Sequence, residues 1–102
     1  MKEVNVKGFS DGKLSIELSG EIDSGSADEF YAVTMAAYKS SPGDIVFDCE
    51  RLDFIDSTTL GTFVKILKNV KTDGYGLRLE KLQPRLKKLF LICSLNSIME
   101  IA

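Results

Sequence analysis

Phe54-Ile55-Asp56-Ser57-Thr58-Thr59-Leu60-Gly61 is the stretch on which the reading of this chain turns. Two apolar residues run straight into an acid and three consecutive hydroxyls, and behind them the apolar spacing changes. Leu60, Phe63, Val64, Leu67 and Val70 recur at i, i+3, i+4, i+7 and i+10, which is one stripe of a helix. Lys65, Lys68 and Lys71 fall on the other side and read as a solvated basic face. Asp56 or Ser57 is positioned to accept hydrogen bonds from the free N–H groups of the first helical turn. Thr58 lies in that turn but outside the stripe, so its hydroxyl is expected to face solvent. A phosphate there would meet the positive end of the helix and its unpaired donors. A plain capping sequence looks the same, so spacing alone does not separate a functional site from a cap.

Working outward, Ile45-Val46-Phe47 is a short continuous apolar run after Ser40-Ser41-Pro42-Gly43 and Asp44, expected to be a strand buried on both faces. Ala27, Phe30, Tyr31, Thr34 and Tyr38 keep helical spacing, with Asp23, Ser24 or Ser26 available as the N-cap. Val4-Asn5-Val6 and Leu14 to Leu18 alternate apolar and polar around Ser10-Asp11-Gly12, the pattern of a hairpin. Gly20-Glu21-Ile22-Asp23-Ser24-Gly25 breaks that alternation. Downstream, Asp73-Gly74-Tyr75-Gly76 reads as a turn and Leu77-Arg78-Leu79 as a strand. Pro84 suits the first turn of a third helix, whose inner face would hold Leu86, Leu89, Phe90 and Cys93. Ile98-Met99-Glu100-Ile101 reads as a closing strand. The order ββαβαβαβ predicts an α/β fold: one domain over residues 1–102, with a mixed, largely parallel sheet of four to five strands packed with three main helices. Sites in such sheets gather where strand ends meet helix N-termini.

Composition narrows the chemistry. The chain has 102 residues, a formal net charge of −2 and no histidine, so the commonest general base and metal ligand is missing. The charge balance points to neither nucleic acid nor an anionic membrane surface. Cys49 and Cys93 stand in apolar neighbourhoods, form no CxxC, and are expected to be buried, reduced packing thiols. No metal site is expected from two such ligands. Met1 is followed by Lys2 and Glu3, no signal peptide is visible, and a cytoplasmic protein is the expectation. A nucleophilic enzyme built on Ser57 or Thr58 would lack a histidine base and a Gly-x-Ser-x-Gly elbow, so no catalytic residue is assigned.

Asp56-Ser57-Thr58-Thr59-Leu60-Gly61 resembles the phosphorylation loop of STAS-domain anti-sigma-factor antagonists, whose pattern is Asp-Ser-(Ser/Thr)-Gly-Leu-Gly after a short apolar pair. Gly20-Glu21-Ile22-Asp23 before Ala27, the run from Ile45 through Leu52, and Pro84 through Leu95 are similar to further segments of that family, in the same order. The resemblance implies an antagonist that acts by partner switching. Unmodified, it binds an anti-sigma factor with serine/threonine kinase activity. It is released once phosphorylated, and a PP2C-type phosphatase restores the binding form. ATP and metal ions belong to those partners, so no cofactor is implied for this chain. By position the resemblance makes Thr58 the phosphoacceptor, with Ser57 as the neighbour that could substitute. The expected partner-contacting set is Asp23, Ser24, Asp56, Ser57, Thr58, Thr59 and Gly61.

Two departures from the family pattern stand out. Thr59 replaces the usual glycine, adding a β-branched side chain where a partner would approach and a third candidate hydroxyl. The chain ends at Ala102, where many family members continue into another helix, which leaves self-association as a homodimer open. The competing reading is a STAS scaffold or adaptor module in a signalling assembly that binds without being phosphorylated.

Overall fold

The computed structural model describes residues 1–102. A hairpin comes first, with β1 at Val4–Ser10 and β2 at Lys13–Ile22. Asp11 and Gly12 both take positive φ (53° and 76°) between the paired Ser10 and Lys13. That two-residue turn matches the right-handed twist of the strands, which is why Asp-Gly stands there. Helix α1 (Ala27–Ser40), strand β3 (Asp44–Ile55), helix α2 (Ser57–Thr72) and strand β4 (Leu77–Glu80) follow, then α3 (Pro84–Ile92) and β5 (Glu100–Ile101). A single turn of 3₁₀ helix at Leu95–Ser97 precedes β5.

The five strands lie in the order β1-β2-β3-β4-β5. β1 and β2 are antiparallel, and every later pair is parallel. The fold class read from the sequence is therefore the fold observed. β3 is much longer than its apolar run Ile45-Val46-Phe47 suggests. Two register shifts against β2, between Glu17 and Ser19 and between Gly20 and Glu21, let Cys49, Leu52 and Ile55 all reach the core. Such irregularities break strict alternation, and this hid the strand behind Glu50, Arg51 and Asp53. β2 likewise continues through Gly20 to Ile22, with Gly20 at φ 67°.

β3 is not buried on both faces. Ile45 and Phe47 are buried while Val46 and Asp48 are partly open, and Leu14, Ile16, Leu18, Leu77 and Leu79 line the same inner side. Helices α1, α2 and α3 all share that one core, so the opposite face of the sheet is left to polar side chains. Arg78 on the open face pairs with Glu80 at 2.8 Å and with Glu100, which helps hold the two-residue β5 against β4. Gly43, before β3, is buried, and the position takes no side chain because a Cβ there would fall 2.4 Å from the Gly12 carbonyl oxygen.

Phe63 of α2 sits at the centre of the core. Its ring centroid is 5.1 Å from Phe30 of α1, 5.4 Å from Phe47 of β3 and 5.5 Å from Phe90 of α3, all at steep interplanar angles. The α2 stripe is buried at Leu60, Phe63, Leu67 and Val70, joined by Ile66, while Val64 is only partly buried. Farther along, the Tyr38 hydroxyl donates to Asp73 Oδ2 at 2.6 Å and links the C-terminal ends of α1 and α2.

Helix α3 departs from expectation. Only Leu86 and Phe90 are buried, and Leu89 and Cys93 stand exposed. At nine residues, α3 is too short to bury more than one narrow stripe. Cys49 is the buried packing thiol, and burial pushes its pKa up to about 12. A maleimide is therefore expected to modify Cys93 alone in the native protein and Cys49 only after unfolding; mass spectrometry of the labelled peptides checks this. Phe63→Ala is expected to lower stability by about 3–5 kcal/mol in denaturant titrations, as for a large side chain removed from a packed core.

Candidate functional site

Only Asp56 separates β3 from α2. Its backbone is extended (φ −114°, ψ −176°), so the chain leaves the strand without a bend and the side chain turns back over the helix. Asp56 Oδ1 accepts from the Thr59 N–H at 3.0 Å, as an N-cap. Asp56 Oδ2 accepts from the Ser24 N–H at 2.8 Å, across to the connection between β2 and α1. One carboxylate thus holds two loops together.

Thr59 completes the junction from inside. It is 0% exposed, and its hydroxyl donates to the carbonyl oxygen of Ile22, the last residue of β2, at 2.6 Å. The same Oγ1 lies 3.0 Å from Asp56 Oδ1. With a single proton on the hydroxyl, the shorter distance marks Ile22 as the main acceptor. Ile22 and Ile55 pair in register, so the ends of β2 and β3 and the start of α2 meet at one point. Thr59, expected where a partner approaches and as a third hydroxyl, instead faces the core. Position N3 of α2 lies four residues before Phe63, on the same buried side.

The turn after β2 is tied internally. Asp23 Oδ1 accepts from the Gly25 N–H at 2.9 Å, and Ser26 Oγ accepts from the Asp23 N–H at 3.1 Å. Ser26 occupies the N-cap position of α1, but its side chain is spent on the turn and does not cap the helix. Asp23, Ser24, Ser57, Thr58 and Gly61 are all exposed, so the structure brings them to one surface around the partly buried Asp56. The N–H groups of Ser57 and Thr58, in the first turn of α2, have no intrahelical acceptor. Gly61 has nothing within 4 Å of a built Cβ and no positive φ, so the fold itself does not need a glycine there.

Phe54 is 43% exposed beside the junction, paired in register with Glu21. In the sequence it forms an apolar pair with Ile55, and nothing distinguishes it from a core residue until the strand direction turns Ile55 inward.

The carboxyl of Asp56 is held below the ordinary carboxylate range, chiefly by the Thr59 N–H and further by the Ser24 N–H, against an opposing effect of desolvation. A depressed folded-state pKa stabilises the fold fully above the unfolded value, about 3.9, and the stabilisation is lost as pH falls through the folded value. Asp56→Asn is therefore expected to flatten the acid side of the stability–pH curve, measured by thermal unfolding at a series of pH values. Thr59→Val keeps the shape and removes the donor to the Ile22 carbonyl, and a loss of about 1–3 kcal/mol is expected in denaturant unfolding.

The sheet order, the one-sided helical layer and the loop at Asp56 define a STAS domain. The chain belongs to that family: the family model described as STAS domain matches residues 5–102. Among individual proteins, it is 32% identical over 98 residues to the anti-sigma-B factor antagonist of Bacillus subtilis, covering 91% of this chain and 84% of that one. The anti-sigma-B factor antagonist of Staphylococcus aureus is 28% identical over 86 residues, covering 84% and 80%. Among solved structures, the unphosphorylated anti-sigma factor antagonist SpoIIAA superposes with a TM-score of 0.75 at 19% identity, covering 97% of this chain and 86% of that chain. The phosphorylated form, from Bacillus, gives 0.70 at 22% identity over 97% and 90%. An anti-sigma factor antagonist from Mycobacterium paratuberculosis gives 0.80 at 22% identity over 96% and 82%. At these identities the solved structures speak to the fold.

Proposed function

We propose that this chain is an anti-sigma-factor antagonist that binds an anti-sigma factor through the surface around Asp56 and is released when phosphate is added to Thr58 or Ser57. The observation that carries the reading is the pair of exposed alcohols at the start of α2, held on one surface with Asp23 and Ser24 by the Asp56 carboxylate. Two named relatives are anti-sigma-B factor antagonists, and a fold neighbour is described in both unphosphorylated and phosphorylated forms.

The chemistry asks little of this chain. A kinase holding ATP brings the γ-phosphorus to the hydroxyl oxygen; the new P–O bond forms as ADP leaves and the hydroxyl proton is lost. The chain supplies an alcohol in water at a helix terminus. Thr59 is withheld by its inward hydrogen bond, which leaves two acceptors. A phosphorylated residue carries about −1.5 to −2 charges at pH 7. The helix terminus offsets up to about 2 kcal/mol of the cost of that charge, so the fold survives. At an interface the balance reverses. Two unit charges about 6 Å apart at an effective dielectric near 20 repel by roughly 3 kcal/mol, about a hundredfold in affinity. A PP2C-type phosphatase would reset the switch.

Gly61 fits the same surface. It is exposed on the helix face that also carries Ser57, four residues earlier, and no neighbour crowds it. Gly61→Ala is expected to stabilise the free protein by about 0.5–1 kcal/mol while weakening the anti-sigma-factor complex, read by unfolding and by titration calorimetry side by side. A glycine kept only for folding would give the opposite sign in the first measurement.

Incubation with a cognate anti-sigma-factor kinase and ATP is expected to add one phosphate, lost in one of Thr58→Ala and Ser57→Ala and retained in the other. Thr58→Glu is expected to weaken partner binding by about a hundredfold while leaving stability within about 1 kcal/mol. A complex that persists in the presence of the kinase and ATP, with no phosphate on this chain by intact-mass spectrometry, would favour an unmodified adaptor module instead.

A further inference from the structure

Residues 81–99 contain Lys81, Arg85, Lys87 and Lys88 and not one aspartate or glutamate, in a chain whose formal net charge is −2. None of these four cations makes an ion pair, because both salt bridges of the molecule belong to Arg78. Only Arg85 has an internal partner, the backbone carbonyl of Asp53. The same segment holds Leu89, Leu91, Ile92 and Ile98, four of the seven large apolar side chains that stand exposed. Ile92 is 69% exposed, Leu91 44% and Ile98 43%.

Helical spacing interleaves the two kinds. Arg85, Lys88 and Ile92 stand at i, i+3 and i+7, and Lys87 lies one turn before Leu91. Leu86 and Phe90 occupy the opposite, buried side. The outer face of α3 thus starts cationic and ends apolar, with Ile98 in the turn beyond it. α3 starts beyond the C-terminal end of β4 and runs back, so its apolar end faces the other edge of the sheet from Ser57 and Thr58. Ile98 turns instead to the bare side of the sheet, where it lines a shallow concavity with Lys13, Asp44, Arg78, Glu80 and Glu100, apart from the outer face of α3.

We propose that the outer face of α3 forms a second docking surface that takes an acidic amphipathic helix of a partner protein. Apolar side chains of that helix would cover Leu91 and Ile92, and its carboxylates would meet the unpaired Lys87 and Lys88. Charge argues against a second copy of this chain, because a two-fold contact would set Lys87 and Lys88 against their own kind. The start of α3 lies near the Asp56 junction, where Arg85 bonds the Asp53 carbonyl. Leu91 and Ile92 stand at the other end of the helix, so the apolar part of the surface is free to be occupied while the phosphorylation site is engaged. The proposal goes beyond the switch and stands without it.

The test is a titration of the whole protein, followed by backbone-amide NMR. One probe is a synthetic helical peptide with leucines at i, i+3, i+4 and i+7 and glutamates elsewhere; the other is its lysine-for-glutamate counterpart. The glutamate peptide is expected to shift amides across residues 87–92 and leave Ser24, Ser57 and Thr58 unmoved. The Lys87→Glu/Lys88→Glu double variant is expected to weaken that binding by at least about fivefold. Ile92→Ser should weaken it as well, and both variants should stay folded, since Lys88 and Ile92 are exposed and the partly buried Lys87 makes no ion pair. Four results would overturn the proposal. The α3 amides stay still, or the lysine peptide acts equally well. Phosphatidylglycerol vesicles produce the shifts and the glutamate peptide does not, or sedimentation shows a dimer that Ile92→Ser dissolves.

Discussion

The ring of Phe63 is the contact on which the architecture rests. It touches one phenylalanine from each of α1, β3 and α3, so a single residue of α2 ties all three helices to the central strand. Edge-to-face packing of this kind is worth about 0.5–1.5 kcal/mol per pair beyond area burial, and it is directional. Direction has a functional result. Burying Phe63 fixes the rotation of α2 about its axis, which carries Thr59 inward one turn earlier and turns Ser57, Thr58 and Gly61 to solvent. The exposure of the two alcohols is thus set by a ring in the core.

The second constraint is the Asp56 carboxylate. A cap that served α2 alone would need one oxygen, and here the other oxygen reaches Ser24. The turn after β2 and the start of α2 therefore hold a common geometry, backed from below by the bond from Thr59 to Ile22. A partner docking there would meet one preformed surface, which lowers the ordering cost of binding.

Much of this could be read in advance where periodicity and turn chemistry agree. The Asp-Gly turn, the α2 stripe, Pro84 at the first turn of α3 and the Asp56 cap are local signals, and all appear as expected. Long-range features were hidden. Nothing local tells that α1, α2 and α3 share one side of the sheet, so the apolar run at β3 suggested burial on both faces. Cys93 looks like core by its neighbours and is exposed because α3 is short. Thr59 was the instructive case. As a polar residue in a hydroxyl run it reads as surface, and only the Ile22 carbonyl, 37 positions away, accounts for its burial.

A sheet clad on one side has a further consequence. Exposed side chains on the bare side, such as Lys13 and Ser15, contribute little to the packed interior, so changes there are nearly free of folding cost. Evolution can repaint that wall without disturbing the alcohols at the rim. One scaffold can then acquire new neighbours at its back while the rim around Asp56 keeps its shape.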